Sequence, residues 1–180
     1  VTDRIAQEIV DLNKHPRMKE MGVRLEPIFN QGKYIKQSVF NLIESGLFFR
    51  FDATNILKRN LASIVTAIGL DHLDWLPKEE QTIKKIIFEK TSTLLNSKII
   101  IAKQSSNEID RAIKDTIKNN SSKKIIFGKN YNFTLKENGF FYFEDEFGSL
   151  KLQKPNLSGE FQLENVSTAI ATIRQLSSYK

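Results

Sequence analysis

Three short patterns in this 180-residue chain hold side chains that could do chemistry. His72, flanked by Asp71 and Asp74, follows the apolar run Ser63 to Ile68. That places it just past the carboxyl end of a predicted strand, the edge where open α/β sheets bind ligands. On residue pattern alone, the plainer reading is a loop histidine bonded to backbone. Lys90 shares a helical face with Ile83, Ile86 and Ile87, so its stem is predicted to point toward the core. A buried ammonium is costly, so such a lysine either snorkels to solvent or is chemically useful. The third pattern is Phe29-Asn30-Gln31-Gly32-Lys33-Tyr34-Ile35, between a predicted strand and a predicted helix. A phosphate-binding loop belongs at such a junction. It needs small residues, a lysine, and a Ser/Thr for magnesium. Gly32 and Lys33 are present, but Phe29, Tyr34 and Ile35 stand where Gly, Gly and Ser/Thr belong. The other histidine, His15, sits in the polar stretch NKHPRMKE and reads as exposed.

The elements that must position these groups alternate. Asp3 to Leu12 reads as a short helix and Met21 to Phe29 as a strand. Ile35, Val39, Leu42 and Ile43 mark a second helix, with Gly46 predicted at its C′ position. Ser63 to Ile68 reads as a strand buried on both faces, and Lys98 to Lys103 and Lys123 to Phe127 repeat that signal. Helices are predicted after Pro77 and over Asn107 to Lys118. Strand–helix–strand alternation at this spacing implies a parallel sheet. From Tyr131 the pattern alternates and turns at Glu137-Asn138-Gly139 and Phe147-Gly148, as an antiparallel meander does. A last helix carries Leu163, Val166, Ile170 and Ile173 on one stripe. The expected class is α/β with a β-meander before the last helix.

Composition narrows the classes. With 40% apolar and 27% charged residues the chain is ordinary globular material. It has no cysteine, which excludes disulfides, thiolate metal sites and cysteine nucleophiles, and fits a reducing, cytoplasmic compartment. No apolar run reaches the length of a membrane span, and VTDRIAQEIV has no signal-peptide shape. The net charge of +6 raises nucleic acid as a partner. However, the lysines alternate with acids, as in KEEQTIKKIIFEK, which is the pattern of a solvated helix.

Four segments, in order, resemble one family. They are Arg50-Phe51-Asp52-Ala53-Thr54-Asn55; Ser63 through Leu76, which contains Asp71-His72-Leu73-Asp74-Trp75-Leu76; Phe88-Glu89-Lys90; and Pro155 through Val166. Together they look like folylpolyglutamate synthase/dihydrofolate synthase, the folate branch of the Mur-ligase-like ATP-dependent amide ligases. The resemblance implies a parallel-sheet, P-loop-related central ATPase domain. It implies a reaction in which ATP phosphorylates a folate or pteroate carboxylate and the amine of L-glutamate attacks the acyl phosphate. The protein's part is to position the reactants and neutralise phosphate charge with a P-loop and Mg²⁺.

The resemblance also assigns residues. His72 matches a magnesium-binding histidine, and Lys90 matches a lysine that becomes carbamylated and supports a second metal. Asn165 matches an asparagine near the adenine pocket, although Phe161 replaces the family histidine beside it. Gly32 and Lys33 fall in the stretch closest to the family's "G-T-N-G-K-G-S". Glu44 fits two frames. In one it lies in the last turn of the helix after the P-loop; in the other it matches a magnesium ligand of "E-V-G-L-G-G-R-x-D-A-T-N". Both frames fit in part if an internal segment has been lost. Pro77-Lys78-Glu79-Glu80 stands where the family has about one glycine. The expected organisation is a partial central domain over 1–180: a degenerate P-loop region over 1–49, an α/β part over 50–130, and the meander and closing helix over 131–180. The family's C-terminal ligase domain is expected to be absent, and a separate ligase half becomes an implied partner. A degenerate, non-catalytic remnant is the alternative.

Overall fold

Runs of isoleucine build the centre of the molecule. The computed structural model describes residues 42–136, 139–156, 159 and 161–176. Three short parallel strands, β1 (Ala62–Val65), β2 (Lys98–Ile101) and β3 (Lys124–Ile126), form a sheet in that order. Ile64 pairs with Ile100, which pairs with Ile125; Val65 pairs with Ile101, which pairs with Ile126. Alternate residues therefore serve opposite faces. Ile99 and Ile101 meet helices α1 (Ile83–Thr91) and α2 (Asn107–Thr116) through Ile86, Ile87 and Ile113. Ile100 and Ile125 meet a second core of Tyr131, Phe141, Phe143 and Leu163. That core lies under an antiparallel meander, β4 (Tyr131–Leu135), β5 (Phe140–Asp145) and β6 (Gly148–Gln153), and the closing helix α3 (Phe161–Leu176). The α/β class and the meander are as expected from the sequence. The predicted helix over 3–12, the strand over 21–29 and the 29–35 loop lie outside the described residues.

Capping explains where the helices begin. Thr82 accepts from the Lys85 amide at the start of α1, and Ser106 accepts from the Ile109 amide at the start of α2. Pro77-Lys78-Glu79-Glu80 forms a 3-10 turn before α1 and does not lengthen the helix.

Three sequence expectations need correction. Residues 42–45 carry no helix, and Gly46 is not left-handed. Its amide instead donates to the Asp52 carboxylate at 2.9 Å. The strand expected over Ser63 to Ile68 ends at Val65 and is not buried on both faces, since Ile64 is 38% exposed. β1 pairs only with β2 among the described residues, so α3 and the meander cover β2 and β3 better than this edge. On α3, Ile173 is exposed and the buried stripe is Leu163, Ser167, Thr168, Ala171, Thr172 and Gln175. The hydroxyls satisfy themselves: Ser167 and Thr168 donate to the Glu164 carbonyl and Thr172 to the Thr168 carbonyl. Leu163, Val166 and Ile170 pack against the second core as the stripe predicts, and the small residues with internally bonded hydroxyls fill the rest of that face.

Candidate functional site

The loop after β1 is stitched to the loop after β2 at the carboxyl edge of the sheet. Gln104 accepts from the Ile68 amide at 3.0 Å and donates to the carbonyls of Thr66 and Ala102. Beyond this stitch, His72 takes up φ 53°, ψ 29°, the one non-glycine with positive φ among the described residues. A histidine there is uncommon and carries strain, which structures tend to store at functional positions. Its exposed ring packs edge-on against Phe48, with centroids 6.1 Å apart. No hydrogen bond engages the ring among the described residues. The next turn is held by Gln81, which donates to the carbonyls of Leu73 and Leu76.

Lys90 reaches this loop. Its Nζ lies 3.3 Å from Asp71 Oδ2, and its side chain is 24% exposed. The ammonium is therefore turned toward a carboxylate at the surface, the snorkelling arrangement open to a lysine on that helical face. The 3-10 turn at Lys78–Glu80 has left Lys90 beside the Asp71-His72 pair.

The fully buried charge is its neighbour. Glu89 is 0% exposed and accepts from Arg50 Nε at 2.5 Å and Nη2 at 2.8 Å, with Lys85 Nζ 3.3 Å away. Burial pushes its carboxyl up, but hydrogen bonds and charge from Arg50 and Lys85 together outweigh that and hold it below its ordinary value. The hydrogen bond to Glu89 raises the Arg50 guanidinium in turn. Arg50 also lies over Phe51 at 4.1 Å and over Phe88 at 5.3 Å. Both partners stand in segments that carry the family resemblance, but a pairing 39 residues apart has no local signature.

Asp52 organises the segment before Arg50's turn. It caps the turn Ala53–Ile56 by accepting from the Thr54 amide and hydroxyl, and it also accepts from the amides of Gly46 and Leu47. Burial works to raise its carboxyl, and these bonds bring it below its ordinary value.

The remaining predicted residues disperse. Glu44 is exposed, two residues before Gly46, with no helix around it, so the helix-end frame for this residue falls away. Asn165 is exposed on α3, where its Nδ2 donates to Gln162 at 3.3 Å. That helix covers the opposite sheet face from α1, so Asn165 is not brought together with Lys90. Gly32, Lys33 and His15 lie outside the described residues. The structure thus brings Lys90 to Asp71, the residue before His72, while the His72 ring itself meets Phe48.

Among the described residues no three His, Asp or Glu side chains cluster as a metal site. Mg²⁺ commonly takes only one or two protein ligands and completes its shell with phosphate and water. Asp71 is a carboxylate of the kind that mode uses, paired here with Lys90 at 3.3 Å, and the His72 ring stands beside it in sequence.

Comparison with known proteins follows the same lines. No protein-family model matches the chain. The dihydrofolate synthase/folylpolyglutamate synthase of Escherichia coli (strain K12) is 29% identical over 133 residues, covering 74% of this chain and 29% of that enzyme. The solved structure of E. coli FolC in complex with DHPP and ADP superposes with a TM-score of 0.58 at 28% identity, over 73% of this chain and 29% of the other. The apo form of L. casei FPGS gives a TM-score of 0.66 at 22% identity, over 83% and 36%, which speaks for the fold alone. The chain is therefore like the folylpolyglutamate synthase/dihydrofolate synthase enzymes in sequence and in fold, as a mixed α/β, Mur-ligase-like unit. It spans less than a third of the length of the curated relatives it matches.

Proposed function

We propose that the chain carries the function of an ATP-dependent ligase that joins L-glutamate to a folate or pteroate carboxylate. The observation that supports it most is the approach of Lys90 to Asp71, next to the left-handed His72, at the sheet edge, in a chain like the folate ligases. In this reading ATP phosphorylates the carboxylate, and the amine of glutamate displaces phosphate from the acyl phosphate to form the amide. His72 and Glu44 hold Mg²⁺, which would neutralise phosphate charge. Lys90, carbamylated, would bear on the same site. Gly32, Lys33 and Asn165 contact ATP. Residues 1–49 form the nucleotide-loop region, 50–130 the α/β part and 131–180 the meander and closing helix. The protein acts in the cytoplasm; no helix among the described residues is long and apolar enough to cross a membrane. A ligase half on another chain is its partner.

A second reading is a non-catalytic descendant of that ligase. It is favoured by Phe29, Tyr34 and Ile35 at the loop positions that need small residues and a hydroxyl. Thermal melts with and without Mg-ATP separate the two. Ligand at about 100 times its Kd stabilises by about 2.7 kcal/mol, a midpoint rise of roughly 5–10 °C for a chain of this size. A cooperative melt that does not move would exclude the ligase reading for the isolated chain. If it moves, His72→Ala and Lys90→Ala are each expected to abolish glutamate ligation, and activity persisting in either would refute the site assignment.

A further inference from the structure

The Arg50–Glu89 pair joins the segment before β1 to the last turn of α1. A buried ion pair generally adds little net stability over well-packed apolar side chains of the same size. What a bidentate pair does fix is geometry, since two parallel N–H···O bonds set both distance and plane. Here the guanidinium is further oriented by the rings of Phe51 and Phe88. Each end of the pair is joined by short covalent paths to the site. Glu89 immediately precedes Lys90. Arg50 lies two residues after Phe48, whose ring abuts His72. Asp52, two residues further, holds the amides of Gly46 and Leu47, two and three residues after Glu44.

We propose that Arg50 and Glu89 are positioning residues, which fix the distance between Lys90 on α1 and the Phe48-supported His72. As a statement about ligation it rests on the reading of His72 and Lys90 given above. As a statement about geometry it stands on the ion pair.

The test is Arg50→Met/Glu89→Leu, which removes both charges and keeps the volume, with Arg50→Lys as the variant that keeps charge but loses the fork. The chain has only two histidines, so the imidazole NMR signals of His15 and His72 can be assigned, with His15 as the internal control. Expected is a near-parental thermal midpoint, with His72 signals displaced or broadened and His15 signals unmoved. Arg50→Lys is expected to move His72 in the same direction by less. His72 signals unchanged in both variants would overturn the proposal. If the apolar pair fails to fold, Arg50→Lys alone decides by the same criterion. Where the parent turns over, kcat is expected to fall about 10- to 100-fold with KM within about threefold, as for a misplaced reacting group. An unchanged kcat would equally overturn it. A parent without turnover refutes the ligase reading for the isolated chain, and the His72 signals still judge the geometry.

Discussion

Arg50→Met tests the energetics of the buried pair directly. The substitution removes two of the three cationic contacts to Glu89 and leaves the carboxylate 0% exposed beside Lys85 at 3.3 Å. Breaking a buried pair by deleting one partner costs about 3–5 kcal/mol. The Arg50 side chain is 32% exposed, so water can reach part of the vacated space, and Lys85 remains. Both factors favour the low end, about 3 kcal/mol. For a chain of this size that lowers the thermal midpoint by roughly 6–12 °C. Arg50→Met/Glu89→Leu has no stranded charge and should cost less than about 1 kcal/mol. Urea unfolding of the parent, both single variants and the double variant completes the cycle, with an expected coupling of about 2 kcal/mol or more. Equal, additive losses would refute the argument, because they would mean that Glu89 is solvated well enough to need no partner.

Two further outcomes follow from ionisation. Glu89 and Asp52 sit below their ordinary values when folded, so the unfolded chain binds protons more readily. Their stabilisation is complete above the unfolded carboxylate pKa, about 4.3, and is lost as pH falls through the lower folded values. Urea midpoints should therefore hold from about pH 8 to 5 and drop below about pH 4, and Glu89→Gln should flatten the drop; an equally steep fall in that variant would contradict the assignment. Tyr131, buried, has its phenol pushed up to about 12, and its hydroxyl contacts the Ile101 carbonyl and Thr168 Oγ1 at 3.0 and 3.2 Å. Tyr131→Phe should cost about 1–2 kcal/mol by leaving the Ile101 carbonyl unpaired. It should also remove a late-titrating tyrosine from an ultraviolet pH scan, and a late titration of undiminished amplitude in the variant would rule out this origin.

The legible parts of the fold were those written in local pattern. Lys98 to Ile101 is continuous and β-branched because β2 is the central strand and its neighbours on both sides and both faces are apolar. The meander shows in its turns, where Gly139 and Gly148 adopt positive φ at 77° and 101°. What failed locally was decided from afar. The 3.6-residue period groups Lys90 with Ile83, Ile86 and Ile87, yet it is Glu89 that is buried, because Arg50 arrives from 39 residues upstream to neutralise it. Gly46 follows what looks like a helix, but the Asp52 carboxylate takes its amide. Ser167, Thr168 and Thr172 look like a solvent face because their internal bonds to helix carbonyls are invisible to a hydropathy scale. Of the site, Asp71, His72 and Lys90 could be named from type and spacing, while Arg50 and Glu89 could be found only by folding the chain.

The small stripe of α3 has a mechanical corollary. The second core holds α3 through Leu163, Val166 and Ile170 as well as its small residues, and polar contacts add a directional resistance to sliding along its own axis. Latches near its two ends supply that resistance. Lys98, at the start of β2, grips the Gln175 carbonyl, and Lys103, just past its end, grips Glu164 at 2.7 Å. Arg174 adds a two-pronged hold on Asp145 of β5. The axial setting of this helix is thus electrostatic in part, and salt, which screens the exposed Lys103–Glu164 pair, acts on it like a loosened drawer catch: at high ionic strength amide exchange should rise at the start of α3.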